Sequence, residues 1–277
     1  MANLMAATPE RADAAEESGD LDSAFRMWLE ISSKSQTSKS YFQLARLALT
    51  LRKWQAAETA LLRILEINPN LPLALGMLGA LFLNRTDGGR ANNLEAAKTW
   101  LLRSIETAKT APTLCLLGTV YSHLSEKAKA QEAWWTAIEV DGQYEEAYFN
   151  LGILAAKDGN SERAENLLAK AIQIDPEYFS AHGRLAKLLR KQGRYPEAER
   201  EFRRCVEIDP SHYLSRLYLA SVLAVLGRQV EAEYQFRKAI AIRPGKAVGM
   251  KLFASYLESL SRKDEADKLR ARLAAMN

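Results

Sequence analysis

Between Glu145 and Tyr178 apolar residues recur at helical spacing in two runs, divided by Gly159-Asn160 and closed by Asp175-Pro176. Apolar positions three and four apart predict a helix on each side of the break. A glycine beside a polar residue predicts the turn between them. Displaced by 34 residues, the pattern falls on itself. Leu117, Leu151, Leu185 and Leu219 are copies of one large position, and Ala130, Ala164, Ala198, Ala232 and Ala266 are copies of one small position. Gly159, Gly193 and Gly227 recur at the break, and Pro176, Pro210 and Pro244 close successive repeats. Two helices per period predict an all-α solenoid of about sixteen helices, in which each hairpin packs on its neighbours and no single central core is needed.

With Tyr148, Leu151, Gly152, Ala155, Ala164, Leu168 and Pro176 in the characteristic places, the period resembles the tetratricopeptide repeat. The resemblance implies a right-handed superhelix of helix pairs whose first helices line a concave groove. Eight repeats then account for the chain as a single domain over 1–277, at about 5–37, 38–71, 72–110, 111–144, 145–178, 179–212, 213–246 and 247–277. The first is degenerate, with an Ala-rich acidic helix carrying Asp13, Glu16 and Glu17, as suits a terminal cap with a polar outer face. The 72–110 repeat keeps Leu78-Gly79 and Ala97, but NRTDGGRANN is expected to widen the inter-helix turn by about six residues. In that detail it also resembles a Sel1-like repeat. Loop insertions are entropically cheap, so the 84–93 segment is read as tolerated drift, with a contact loop as the competing reading.

Composition adds mainly exclusions. A net charge of +4 spread over 277 residues is too small to argue for nucleic acid. Cys115 and Cys205 lie in different repeats and are expected to be reduced. The start, MANLMAATPERADAAEESGD, lacks the basic flank and apolar run of a signal peptide. The apolar stretch Leu71 to Leu83 is too short to span a bilayer, so the expectation is a soluble, cytoplasmic chain without a membrane span. His123 sits in one repeat and His182 and His212 at opposite ends of another, with no Cys or carboxylate at ligand spacing. Neither a phosphate loop nor a nucleophile elbow occurs. No catalytic residue, metal or cofactor is therefore expected, and the chain is not read as an enzyme.

Function is sought instead on first-helix residues that packing leaves over. Gly118, Gly152, Ala186 and Ala220 are the small positions where helices must approach closely, with Trp134, Leu168, Phe202 and Phe236 filling between them. On the 179–191 helix Leu185, Leu188 and Leu189 form the packing side, whereas Arg184, Lys187 and Lys191 fall in one stripe at i, i+3, i+7 spacing. The corresponding faces of the adjoining repeats carry Phe149, Asn150 and Ile153 on one side and Leu217, Tyr218 and Ser221 on the other. Met77, Leu83 and Leu116 continue an apolar surface further up. Relatives that clamp peptide C-termini use five polar and basic positions. Here Asn150 and Arg184 match two, while Cys115, Thr119 and Ser180 stand at the others, so that clamp is incomplete. The expectation is a protein–protein interaction scaffold that holds an extended or helical, acidic segment of a partner. A self-assembly module with homo-oligomeric contacts, or a regulatory subunit of a separately encoded enzyme, are the alternatives.

Overall fold

The structure, a computed structural model, describes residues 7–275. Those residues form sixteen α-helices, with no strand among them. The first hairpin joins α1 (Pro9–Glu17) to α2 (Leu21–Ser35). The expected beginning of its repeat, at 5–6, lies outside the described residues, as does the end of the last, at 276–277. Next come α3 (Ser38–Thr50) with α4 (Trp54–Ile67), and α5 (Pro72–Asn84) with α6 (Arg90–Thr107). They are followed by α7 (Ala111–His123) with α8 (Lys127–Val140), and α9 (Glu145–Lys157) with α10 (Ser161–Ile174). The chain continues through α11 (Phe179–Lys191) with α12 (Tyr195–Ile208), and α13 (Tyr213–Val225) with α14 (Gln229–Ile242). The last hairpin is α15 (Ala247–Ser259) with α16 (Lys263–Ala274). By contact the residues fall into two compact units, one up to Ala147 and one from Tyr148 onward.

Most turns within a hairpin are three residues long, and the middle residue is left-handed. Gly159, Gly193 and Gly227 sit there with φ of 79°, 78° and 74°. Arg52, Ser125 and Ser261 take the same conformation with φ of 55°, 63° and 61°, which costs an L side chain about 1–2 kcal/mol. The turn between hairpins is built by a different device. Asp141, Asp175 and Asp209 each accept, on Oδ1, the backbone N–H two residues on, at 2.9 Å. That local bond competes with continued helix.

The third hairpin departs from expectation. Its turn is Arg85–Gly89, five residues, and α6 has 18 residues where α4 and α8 have 14. Most of the extra chain therefore adds a turn of helix to α6 and does not widen the loop. The physical reason is Asn93, which is 5% exposed and donates Nδ2–H to Asp87 O at 2.6 Å. Arg85 then bridges Glu58 at 2.7 Å and Asp87 at 2.6 Å, holding the loop against the previous hairpin.

In the N-terminal unit a core runs from Ala24 and Trp28 through Leu44, Leu61 and Leu78 to Leu81. The first-helix glycines explain how closely helices approach. A Cβ added to Gly79 would lie 2.4 Å from Leu101 Cγ, and one on Gly118 would lie 2.5 Å from Trp134 Nε1. Trp134 is held there because its Nε1–H donates to Cys115 O at 3.2 Å. In the C-terminal unit Gly152 meets Leu168 Cγ at 3.0 Å in the same way. The pairs Ala186 with Phe202, and Ala220 with Phe236, occupy the equivalent places in two successive cores.

A second series, not anticipated from the sequence, links successive second helices of the C-terminal unit. Arg194 reaches back to Glu165 and forward to Glu197, each at 2.5 Å. Arg228 does the same with Glu199 and Glu231, each at 2.6 Å. Arg262 joins Glu233 and Glu265. The arginine stands one residue before each helix and so recurs with the repeat.

Candidate functional site

In the C-terminal unit the inner stripe of α11 is bordered by two pockets. The first, of about 270 Å³, is lined by the rings of Phe149, Phe179, Phe202 and Tyr218 together with Arg184 and Lys187. The second, of about 330 Å³, is lined by Ile153, Ala156, Leu168, Leu188 and Lys191, again with Arg184 and Lys187. Packing and exposure of the α11 residues follow from helix periodicity. Leu185 and Leu189 are buried, and helix periodicity carries Arg184, Lys187 and Lys191 to the other side as exposed side chains.

The charge of this stripe is uncompensated. Arg194, Arg203, Arg228 and Arg262 are all taken up by glutamates. Among the described residues, Arg184, Lys187 and Lys191 have no carboxylate partner. Lys187 Nζ sits 4.9 Å from the centroid of the Tyr218 ring, which itself stacks on Phe202 at 5.3 Å. Partial burial, then the neighbouring Arg184 charge, push the Lys187 pKa down. Both causes disfavour its charged form in the absence of an anion.

Of the expected groove residues, the structure brings together Phe149, Ile153, Arg184, Lys187, Lys191 and Tyr218 on these two pockets. Leu188, assigned to packing, is half-buried and lines the second pocket as well. Asn150 and Ser221 line neither pocket, and Ser221 Oγ donates to Leu217 O at 2.8 Å within its own helix. Leu217 is a correction. It is 2% exposed and belongs to the core, because it packs with Phe236 of α14 and with Met250 and Phe253 of α15 in one buried cluster. Met77 and Leu116 lie in the N-terminal unit, half-buried against their own local cores, and Leu83 is buried. Phe179 and His212, the first and last residues of one repeat, also line the first pocket and meet edge to face at 4.8 Å; in the sequence His212 is weighed only as a metal ligand and Phe179 is not singled out. The available signal was aromatic character at both ends of a single repeat.

Family models described as tetratricopeptide repeat match residues 38–71, 115–179 and 155–217. The chain carries tetratricopeptide repeats. Solved structures agree on the tetratricopeptide fold. PilF of Pseudomonas aeruginosa is 18% identical with a TM-score of 0.66, over 79% of this chain and 97% of that one. Cut9, from a structure of the APC/C Cut9–Hcn1 hetero-tetramer, is 14% identical with a TM-score of 0.67, over 89% of this chain and 48% of that one. The C-terminal part of a TPR repeat-containing protein from Cytophaga hutchinsonii is 15% identical with a TM-score of 0.59, over 85% and 92%. No curated protein matches the chain. Tetratricopeptide repeats generally mediate protein–protein interaction and are generally non-catalytic. No described helix is long and apolar enough to cross a membrane.

Proposed function

We propose that the chain is a non-catalytic interaction scaffold whose α9–α11–α13 face binds an acidic segment of a partner protein. One observation carries this reading: Arg184 and Lys187 border two pockets at once, one aromatic and polar and one mainly aliphatic, and have no carboxylate partner among the described residues. They lie beside half-buried aromatic and aliphatic side chains, the arrangement in which charge sets register and apolar burial supplies affinity. The hetero-tetramer that Cut9 forms with Hcn1 is consistent with a binding role for this fold.

The test is affinity capture with the intact chain and with Arg184→Glu combined with Lys187→Glu. The double variant is expected to lose the captured partners while keeping the wild-type helical signal and melting temperature, since neither side chain is buried in the core. Wild-type capture should also weaken as salt rises, because exposed charges are screened within about 8–10 Å at ordinary ionic strength. Full retention of partners by the double variant refutes the assignment. Concentration-dependent light scattering that vanishes in the double variant would favour self-assembly through the same face.

A further inference from the structure

The second pocket holds more positive charge than one carboxylate can neutralise. Its wall carries Lys157 from the end of α9 and Arg184, Lys187 and Lys191 from α11, and no Asp or Glu lines it. All four cations are exposed, and none has a carboxylate partner among the described residues. Glutamates of the adjoining second helices are engaged elsewhere, Glu165 of α10 by Arg194 and Glu201 of α12 by His182. On α11 the three cations recur at i, i+3 and i+7, so they share one face within about 10.5 Å of axial rise. Like charges on one face repel, and Arg184 is one of the causes that lower the Lys187 pKa.

The rest of the lining selects among anions. Ser161, the first residue of α10, brings a hydroxyl and a helix N-terminus, where the dipole favours negative charge. Groups that favour an anion therefore come from three elements, α9, α10 and α11. A carboxylate is planar and carries a single charge, whereas a phosphate monoester carries nearly two and presents three strong acceptor oxygens. Those oxygens are set tetrahedrally, which suits partners on several sides. The floor is aliphatic, formed by Ile153, Ala156, Leu168 and Leu188, and no aromatic ring lines this pocket. Such a floor fits the short stem of a phosphorylated serine or threonine. The ring of a phosphotyrosine would instead find aromatic neighbours in the first pocket. Because both pockets share Arg184 and Lys187, a peptide seated in the second can continue along the first, which a small phosphate ester would leave open.

We infer that the second pocket receives a phosphoserine or phosphothreonine side chain of the partner segment, its phosphate held by Lys157, Arg184, Lys187 and Lys191. Phosphorylation of the partner then governs its capture. This inference rests on the reading that the face binds a partner segment, and it names the group that the segment presents.

The test is titration of degenerate peptide pools by fluorescence anisotropy on the intact chain. Each pool carries one fixed central residue: phosphoserine, phosphothreonine, Glu or Ser. The phosphorylated pools are expected to bind about tenfold more tightly than the Glu pool, the effect of one further charge-assisted hydrogen bond. Lys157→Gln with Lys191→Gln removes two cations that line only the second pocket. That pair should bring the phosphorylated pools down to the level of the Glu pool, with Glu binding and melting temperature near wild type. Lys246→Gln with Lys263→Gln removes the same net charge from exposed positions outside both pockets and should change nothing. Equal binding of phosphorylated and Glu pools, both lost on Arg184→Glu with Lys187→Glu, overturns the inference and leaves the acidic-segment reading standing. A Ser pool that binds as well as the others overturns both. Equal losses from the two lysine pairs would show that net charge alone attracts the peptides. Displacement of the phosphoserine pool by an equal concentration of free phosphoserine would make a small phosphate ester the occupant. Either result overturns the inference. Binding of no pool overturns it as well, while affinity capture with the intact chain still judges the broader reading.

Discussion

A single glycine position separates two kinds of small residue that look alike in the sequence. Replacing a mid-helix glycine by alanine gains about 1 kcal/mol of helix propensity, whereas overpacking a tight core costs about 1–3 kcal/mol. At Gly118 the new methyl group would meet Trp134, which cannot swing aside without losing its bond to Cys115 O. At Gly183 the nearest atom is Cys205 Sγ at 3.8 Å, an ordinary contact. Gly118→Ala is therefore expected to destabilise by about 1–2 kcal/mol and Gly183→Ala to stabilise slightly, read as opposite shifts of the urea midpoint. Shifts of the same sign would show that packing does not explain these glycines.

His182 carries a pH dependence at the same scale. It is 6% exposed, with Nδ1 2.6 Å from Glu201 Oε2 and Nε2 3.1 Å from Pro176 O. Both partners are acceptors, so both ring nitrogens must carry protons to satisfy them. Burial opposes the charge, but the bonds to Glu201 and to Pro176 O outweigh it, and the pKa is raised. A raised folded-state pKa contributes stability that is fully present below the unfolded value of about 6.5 and lost as pH rises through the higher folded value. The stability gap between wild type and His182→Gln should accordingly shrink between mildly acidic and mildly alkaline pH. A gap that is constant, or that widens, would count against a protonated His182.

Among elements, the second helices hold neighbours together through one buried side and one charged edge. Ala164 is fully buried where α10 meets its own first helix, with its carbonyl 3.4 Å from the Cβ that Gly152 lacks. Ala156 is exposed at the second pocket. Ala164→Leu should cost about 1–3 kcal/mol, whereas Ala156→Leu should leave the denaturant midpoint near wild type. Equal shifts would mean the faces of the hairpin are misassigned. The arginine–glutamate series through Arg194, Arg228 and Arg262 contributes register more than net stability, since partly exposed ion pairs are individually weak. Each arginine engages a glutamate on the preceding second helix and another on its own, which distinguishes one stacking register from the next.

For the whole molecule, local stability should follow the burial that each end can muster. α1 buries only Ala12 and α16 only Ala266, while α13 buries Ser215, Leu217, Leu219, Ala220, Val222 and Leu223. In a stacked array an end hairpin has one neighbour where an inner hairpin has two, and low burial marks regions that open first. Hydrogen exchange should be fastest in α1 and α16 and slowest in helices such as α13. Uniform protection along the chain would contradict nearest-neighbour stacking. That the eight hairpins form one domain over 1–277 is our proposal, tested by whether the units divided at Ala147 and Tyr148 melt in one transition or two.

Much of this was written in the sequence because a repeat repeats its physics. The period of 34 residues, the small positions from Ala130 to Ala266 and the left-handed glycines at 159, 193 and 227 each state a local requirement several times over. Local requirements need no knowledge of distant residues. The α11 stripe was legible for the same reason: helix spacing alone puts Arg184, Lys187 and Lys191 on the side away from Leu185 and Leu189. What depends on partners from other helices could be decided only by tertiary structure. Leu217 looks available on its own helix, and only the packing of Phe236, Met250 and Phe253 from α14 and α15 puts it in the core. The insertion in the third hairpin became mostly helix because the buried Asn93 holds the loop carbonyls. Phe179 and His212 form one wall only after the joints on either side of their repeat fold toward each other. Periodicity fixes which way a side chain leaves its own helix, and the packing of neighbouring helices decides whether that direction ends in a core, a pocket or water.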